Sequence, residues 1–177
     1  DAMPSMPLCV IKSPSISIRF IVIYKKVYNL EASNHQKGII MAQTFRKILL
    51  DTNFLMGCAQ FKVDIFSEIE RICHFNYRIY VLDKTMDELK GIIKNQKGKQ
   101  KDAAKIALQL LKIKNVEEIK DNSEKYADDA ILDHAKKDWL VATQDKDLKR
   151  KLINQGIRVI VIRQKKLLAI DNDQGFF

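Results

Sequence analysis

Residues 47–53 read KILLDTN, and this stretch decides the fold because a short apolar run in it ends abruptly on the acid Asp51. Strands of a parallel sheet are buried on both faces and are therefore apolar throughout, which is the pattern of ILL at 48–50. Asp51 then falls at the carboxyl end of the strand, in the crevice where open α/β sheets bind ligands. Residues 140–145, LVATQD, repeat the pattern and put Asp145 at the end of a second strand. Together the two stretches predict an acidic site at one edge of a parallel sheet.

Outward from these two stretches, apolar patterns typical of strands alternate with patterns typical of helices. The other predicted strands are RIYVL at 78–82, VEEI at 116–119 and RVIVIR at 158–163, the last strand of the chain. The predicted helices span 63–75, 84–95, 99–111, 123–137, with Ser123 as a cap, and 145–156, closed by Gly156. Strands that alternate with helices imply a parallel sheet with helices on both faces, which is an α/β fold.

The composition is that of one basic globular domain. The chain has 177 residues, of which 46% are hydrophobic, enough for one sizeable core. Its formal net charge of +9 favours a nucleic acid or an anionic membrane surface as a partner. No apolar run approaches the roughly 20 residues of a membrane helix, so no membrane span is expected. The three cysteines lack the spacing of a disulfide framework or a zinc ribbon, which indicates reduced thiols and a cytoplasmic location.

The first 40 residues differ in composition from the rest of the chain. All three prolines of the sequence lie there, at positions 4, 7 and 14, and Met41 opens the regular pattern of strands and helices. We therefore expect an N-terminal extension over residues 1–40 and the globular domain over residues 41–177. The chain begins DAMPSMP, without the basic residues that open a signal peptide, so secretion is not indicated.

Acidic residues follow one another at the ends of strands or the starts of helices. They are Asp51, Glu88, the adjacent pair Asp128 and Asp129, and Asp145 with Asp147. Carboxylates gathered at one edge would repel one another, and the usual remedy is a hard divalent cation with oxygen ligands, Mg²⁺ or Mn²⁺.

Each of these acids also has a structural interpretation. Asp51 could serve only as a helix cap, Glu88 could be a solvated helix residue, and Asp147 could act on the helix dipole. Asp128 and Asp129 point about 100° apart on a helix, so only one of them can be a ligand, and the other is either solvated or contacts a ligand rather than the ion.

Basic residues flank the acids in sequence. Lys97, Lys99 and Lys101 form a basic loop that runs into a helix, and Lys149 and Arg150 follow Asp145. We expect these five residues to contact phosphates of a polyanionic substrate, with solvated helix faces as the alternative.

Aromatic and imidazole side chains are weaker candidates for the site. Tyr126 and Trp139 could stack on nucleobases, although Trp139 opens a strand and is more typical of a core. His74 and His134 are expected to be structural, because a hard-metal site does not need imidazole.

Four elements in order resemble the PIN-domain (PilT N-terminus) ribonucleases. They are LLDTNFLM at 49–56, DELKG at 87–91, YADDAIL at 126–132 and VATQDKDLKRKL at 141–152. The last two elements are most similar to the archaeal and eukaryotic branch that processes small-subunit pre-ribosomal RNA. The resemblance covers roughly residues 46–168, and the zinc ribbon of some relatives in that branch is absent from this chain.

This resemblance implies a three-layer α/β/α domain with a parallel sheet of about five strands. It further implies an acidic pocket that binds Mg²⁺ or Mn²⁺ and hydrolyses RNA, with pre-ribosomal RNA as the partner. By position in the motifs, Asp51, Glu88, Asp128 and Asp145 match the catalytic, metal-binding acids, and Asp129 competes with Asp128. The oligomeric state stays open, with a homodimer as one option.

Three rival functions stand beside this one. A toxin-type PIN ribonuclease with an antitoxin is disfavoured by the YADD and DLKR elements. A PIN scaffold that binds RNA without cutting it would be signalled by loss of an acid, and all four acids are present. A phosphoacceptor receiver domain needs an acid pair after the first strand and a lysine after the last, which Leu50-Asp51 and Ile162-Arg163 do not supply.

Overall fold

The computed structural model describes residues 45–124 and 126–171, and a six-stranded sheet forms the centre of this part of the chain. The strands are β1 (Arg46–Leu50), β2 (Tyr77–Leu82), β3 (Glu117–Ile119), β4 (Leu140–Ala142), β5 (Arg158–Arg163) and β6 (Leu167–Asp171). Their order across the sheet is β3-β2-β1-β4-β5-β6. The first five strands are parallel, and β6 pairs antiparallel with β5.

Helices cover both faces of the sheet. They are α1 (Thr52–Phe61), α2 (Ile65–Ile72), α3 (Asp83–Asn95), α4 (Lys99–Ile113), α5 (Ala127–His134) and α6 (Lys146–Asn154). Helices α1 to α4 pack in one hydrophobic cluster, and α5 and α6 pack in a second.

Alternation along β1 shows why its last three residues are all apolar. Ile48 and Leu50 enter the first cluster, Leu49 enters the second, and all three side chains are fully buried. The layered α/β/α fold with a mostly parallel sheet is thus confirmed, because a strand between two helix layers has no solvent-facing side.

The position of β4 creates a crevice at the carboxyl end of β1. The chain runs from β1 outward to β2 and β3, and then crosses back so that β4 pairs with the other side of β1. The backbone N–H of Asp51 donates to the carbonyl of Ala142 at 3.0 Å, which joins the ends of the two strands. Strand order reverses at this point, and such switch points are where open α/β sheets bind ligands.

The prediction that RVIVIR is the last strand is wrong, because β6 follows it. The connecting turn contains Gln164 and Lys165 at φ of 51° and 56°, without the glycine or asparagine that usually marks such a turn. Side chains of α2 hold this edge strand: Leu168 N–H donates to Glu68 Oε2 at 2.7 Å, and Arg71 donates to the Leu168 carbonyl at 2.7 Å. The strand therefore depends on partners far away in sequence.

The helix predicted over 123–137 is shorter at both ends, since α5 spans Ala127–His134 and Tyr126 is its N-cap. Ser123 is not the cap. Its hydroxyl donates to Asp121 at 2.7 Å and its N–H donates to the same carboxylate at 3.2 Å. Such local side-chain bonds compete with the helix for the backbone, which is why the helix starts later.

The expectations about the cysteines, the membrane helices and the first 40 residues have separate outcomes. Cys58 and Cys73 are buried and free, and burial raises their pKa values to about 12 and about 11, so both thiols are inert as expected. Among the helices that the structure describes, none is long and apolar enough to cross a membrane. The extension predicted over residues 1–40 lies outside the described residues and stays a prediction.

Candidate active site

Asp51 lies at the switch point, and only 1% of its surface is exposed. It occupies the N-cap position of α1, but its side chain makes no capping hydrogen bond, so the helix-cap interpretation of Asp51 is wrong. Burial raises the pKa of Asp51 to about 7, opposed by a hydrogen bond from Thr143 and reinforced by the charges of Asp128 and Glu88. A carboxylate held where its charge is unfavourable is typical of a functional site.

Thr143 joins Asp51 to Asp145. It is fully buried directly after β4, and its Oγ1 donates to Asp51 Oδ2 at 2.9 Å. The same oxygen accepts the backbone N–H of Asp145 at 3.0 Å. Because a hydroxyl can donate once and accept as well, one side chain fixes both acids relative to each other.

Asp145 is the helix-capping acid. Its Oδ1 accepts from the N–H groups of Asp147 and Leu148, each at 2.8 Å, at the start of α6. One oxygen of this predicted ligand is thereby committed to the protein. Asp147 lies in the first turn and pairs with Arg150 at 3.0 Å on an exposed face, and its helix-dipole interpretation stays a prediction.

Glu88 is brought to the site by α3. Its Oε2 accepts a hydrogen bond of 2.5 Å from Thr52 Oγ1, and Thr52 is the buried residue that directly follows Asp51. The negative charge of Glu88 is also one cause of the raised pKa of Asp51. Glu88 is therefore not simply a solvated helix residue, because its carboxylate accepts a hydrogen bond from Thr52.

Asp128 is the member of the Asp128–Asp129 pair that couples to the other acids. Partial burial of its carboxyl raises its pKa, and the charges of Asp145 and Asp129 raise it further. Asp128 in turn raises the pKa of Asp51. Both acids are exposed on α5, and the charge coupling of Asp128 to Asp51 and Asp145 favours it over Asp129, whose role as a ligand stays a prediction like that of Asp128.

The charges of the four predicted acids interact, but their side chains are not arranged as a complete set of metal ligands. Among the described residues, no group of three or more His, Cys, Asp and Glu side chains could hold a metal ion. Glu88 bonds to Thr52, and Asp145 caps α6. The donor chemistry nevertheless fits a hard divalent cation, because all four side chains offer carboxylate oxygens and repel one another without a counter-charge.

Comparison with known proteins decides the family. The sequence profile of a family described as a PIN like domain matches residues 48–165, which spans β1 to the turn after β5. The chain belongs to the PIN-like domain family. The predicted resemblance to PIN-domain ribonucleases is confirmed at this level, and the site described above lies inside the matched residues.

Relatives of this PIN-like domain are ribonucleases by name. The chain is 40% identical over 126 residues to ribonuclease VapC4 of Methanocaldococcus jannaschii, covering 70% of this chain and 95% of that protein. It is 29% identical over 128 residues to ribonuclease VapC9 of Archaeoglobus fulgidus, covering 71% and 90%. The solved structure of the PIN domain endonuclease Utp24 aligns with a TM-score of 0.58 and 26% identity, covering 71% of this chain and 91% of that one.

The sequence pattern of this PIN-like domain singled out neither Thr143 nor Thr52. Both are buried and both hydrogen-bond a predicted acid. A usable signal was present, since each threonine directly follows a strand or its terminal acid, in LLDT and LVAT. A hydroxyl at such a position can reach only groups in the crevice or its own backbone.

We expect Thr143→Val to reduce RNA cleavage by about 10- to 100-fold, because residues that orient metal-binding carboxylates have effects of this size. The variant should also lower the free energy of unfolding by about 1–3 kcal/mol, since the Asp145 N–H and an oxygen of Asp51 lose their partner. Thr143→Ser keeps the hydroxyl and should therefore retain most of the cleavage activity and most of the stability of the wild type. Steady-state kinetics and denaturant unfolding measure the two effects.

Thr85→Val is the matched control. Thr85 is fully buried, and its hydroxyl has no hydrogen-bond partner in the part of the chain that the structure describes. Replacing that hydroxyl with a methyl group should leave stability equal or raised. Equal losses in Thr143→Val and Thr85→Val would mean that Thr143 has no special role in the site.

The predicted phosphate-binding residues have different surroundings. Lys149 lies in α6 and makes an ion pair with Asp171 of β6, and Arg150 pairs with Asp147. Lys97 and Lys99 are exposed at the start of α4. A hydrogen bond of 3.1 Å from Gln60 to Gln100 places that start beside the end of α1, the helix that Asp51 begins. Lys101 is half-buried in the same helix.

Trp139 and the two histidines differ in their surroundings. Trp139 is 6% exposed in the second hydrophobic cluster, with the Lys47 ammonium 4.7 Å from its ring centre, so it cannot stack on a nucleobase. His134 faces Asp121 at 3.5 Å, and His74 is exposed. The expectation that both histidines are structural stays a prediction.

Proposed function

We propose that this PIN-like domain is a metal-dependent endoribonuclease that hydrolyses RNA phosphodiester bonds. The observation that carries the proposal is Asp51, buried at the switch point with its pKa raised to about 7 and coupled to Glu88 and Asp128. The ribonuclease names of the relatives at 40% and 29% identity support the same activity.

Each acid has a defined part in this proposal. Asp51, Glu88, Asp128 and Asp145 would hold Mg²⁺ or Mn²⁺, which when bound supplies Lewis acidity and an activated water. Thr143 and Thr52 keep Asp51, Asp145 and Glu88 in register. Buried placement of Asp51 excludes bulk water from one side of the reacting phosphate, which strengthens the electrostatic interactions there.

For the biological role we propose processing of small-subunit pre-ribosomal RNA in the cytoplasm. The YADDAIL and VATQDKDLKRKL elements support this branch, and so does the structural likeness to the PIN domain endonuclease Utp24. Toxin-type PIN ribonucleases are the second candidate, and a specific observation favours them. Both curated relatives carry the name ribonuclease VapC.

A cleavage assay separates these possibilities. The wild type and Asp51→Asn are incubated with Mg²⁺ or Mn²⁺ and three RNAs of equal length: a small-subunit pre-ribosomal fragment, a transfer RNA and an unstructured RNA. Cleavage at one site in the pre-ribosomal fragment alone supports rRNA processing, whereas preferential cleavage of either other RNA supports the toxin-type role. Absence of cleavage in all three by folded, metal-loaded wild type would contradict the nuclease proposal.

RNA binding should depend on salt through the start of α4. We expect Lys97→Ala/Lys99→Ala to weaken binding of many RNA sequences alike, because phosphate contacts carry no base information. For single strands, the slope of log affinity against log salt should become flatter by about 0.7 for each lysine–phosphate interaction that is removed. Titrations between low and high salt measure this slope.

The matched control is Lys136→Ala/Lys137→Ala, two exposed lysines in the turn between α5 and β4. This pair should leave the slope unchanged. Lys149→Ala should mainly destabilise the protein, because its ammonium is engaged with Asp171. If the α4 pair and the control pair change the slope equally, the start of α4 is only a solvated helix face.

A further inference from the structure

Tyr126 is a large aromatic side chain that the fold leaves in solvent. It is 85% exposed, whereas the next residue, Ala127, is buried. It is the N-cap of α5, two residues before Asp128. An aromatic ring that is so exposed does not stabilise the hydrophobic core. It can instead stack on a planar ligand next to the proposed site.

An open cavity of about 440 Å³ lies at the foot of Tyr126. Its lining includes Glu88, which also reaches Thr52 beside Asp51, and Ala127 at the start of α5. The cavity therefore lies between Glu88 and the helix that carries Asp128. The cavity is an open depression of the surface, so a planar ligand bound there would be covered on one side only.

The wall of this cavity is fixed by α3. Lys84 Nζ donates to the Ser123 carbonyl at 2.7 Å and pairs with Asp121 at 3.0 Å. Asp83 accepts the N–H of Asp121 at 3.1 Å. These contacts hold residues 121–123, just before Tyr126, against the start of α3, so the wall is built before any ligand arrives.

We propose that Tyr126 and this cavity form a subsite for one nucleobase of single-stranded RNA, beside the phosphate that is cleaved. The inference rests on the proposed ribonuclease function and adds a determinant of its substrate. A base in a duplex has both faces stacked on its neighbours, so only an unpaired base can bind the Tyr126 ring.

The rim of the subsite indicates which base it takes. Asp87 and Glu124 line the cavity, and ionised carboxylates accept hydrogen bonds without donating any. Lys90 already donates to Asp87 Oδ1 at 2.7 Å, so Glu124 is the acceptor that we assign to the base. Guanine presents adjacent N–H donors on its Watson–Crick edge, whereas uracil presents a single N–H between two carbonyl oxygens that a carboxylate repels. Purines also offer the larger stacking face. The subsite should therefore prefer guanine and disfavour uracil.

Fluorescence of 2-aminopurine, a purine whose emission is quenched by stacking, tests the subsite without cleavage. The probe is a ten-nucleotide oligouridylate with one central 2-aminopurine, bound to the full chain carrying Asp51→Asn in EDTA. We expect quenching with Tyr126 and with Tyr126→Phe. Tyr126→Ala should remove the quenching and weaken binding by roughly 5- to 150-fold. Phe45→Ala, an exposed aromatic at the start of β1, should change neither.

A second arm uses cleavage by the otherwise unaltered enzyme. Tyr126→Ala should raise KM more than it lowers kcat, because stacking is present before and during the reaction. An oligouridylate with one guanine should bind more tightly than oligouridylate alone, and Glu124→Gln should reduce that difference. Unchanged quenching and affinity in Tyr126→Ala would overturn the subsite even if the enzyme cleaves RNA. Quenching that depends on Tyr126 in a protein that never cleaves RNA would keep the subsite and overturn the nuclease.

Discussion

Asp51→Asn is expected to abolish metal-dependent RNA cleavage, with a loss of at least about 10³-fold, while the fold stays intact. The substitution removes the negative charge that the site holds at its most buried position. The hydrogen bond from Thr143 survives, because the amide oxygen of asparagine accepts as the carboxylate does. Circular dichroism checks the fold, and initial rates in Mg²⁺ or Mn²⁺ check the activity.

In the absence of metal, Asp51→Asn should be more stable than the wild type, although it loses activity. The pKa of Asp51 is about 7 in the folded protein against 3.8 as the ordinary value, so the folded state binds this proton more tightly than the unfolded state. The wild type therefore loses stability as pH rises from about 4 to about 7, and the loss is complete above that range. The asparagine side chain of the variant does not titrate, so the variant should exceed the wild type in stability by an amount that grows up to about pH 8.

Unfolding in EDTA at pH 5 and pH 8 measures this effect, which is expected on the order of a few kcal/mol. Asp138→Asn, at an exposed acid in the turn before β4, is the matched control and should change neither cleavage nor the pH dependence. Full cleavage by a folded Asp51→Asn protein would remove the basis of the proposed function.

Asp128→Asn should cost far more activity than Asp129→Asn, by about 10²-fold or more against a few-fold. Only one member of an adjacent pair on a helix can face a given ion, since the two directions differ by about 100°. The structure couples Asp128 to Asp145 and to Asp51. Each variant is the control for the other, because both remove one charge from the first turn of α5.

Metal affinity gives a second measurement for this pair. Mn²⁺ binding followed by calorimetry should weaken strongly in Asp128→Asn and slightly in Asp129→Asn. A larger loss of cleavage at Asp129, or equal losses at both, would show that α5 presents the other acid to the site.

Local pattern was enough to predict the layered fold and the edge of the sheet where the acids lie. ILL at 48–50 and LVA at 140–142 are apolar throughout because each strand is covered on two faces, and burial on two faces can be read from a few consecutive residues. An acid directly after such a strand must fall at its carboxyl end. The candidate acids were therefore available from sequence, although their roles as ligands still await the experiments above.

The ends of helices and the strand at the edge of the sheet were harder to predict from the sequence. The start of α5 is set by hydrogen bonds of Ser123 to Asp121, which compete with the helix on nearly equal terms. The sixth strand depends on Glu68 and Arg71, whose contacts with Leu168 join residues about 100 positions apart. The sequence of β6, LLAID, does not by itself indicate these distant partners.

Sequence alone determined that this chain is an α/β domain with acids after its buried strands, because chain direction and apolar runs are local properties. Only the tertiary structure decided which groups those acids meet. Thr143 reaches Asp51 across 92 residues because β4 returns beside β1, and the same hydroxyl accepts the N–H of Asp145. The raised pKa of Asp51 has the same origin, since burial and neighbouring charge arise only when the distant strands and helices are brought together.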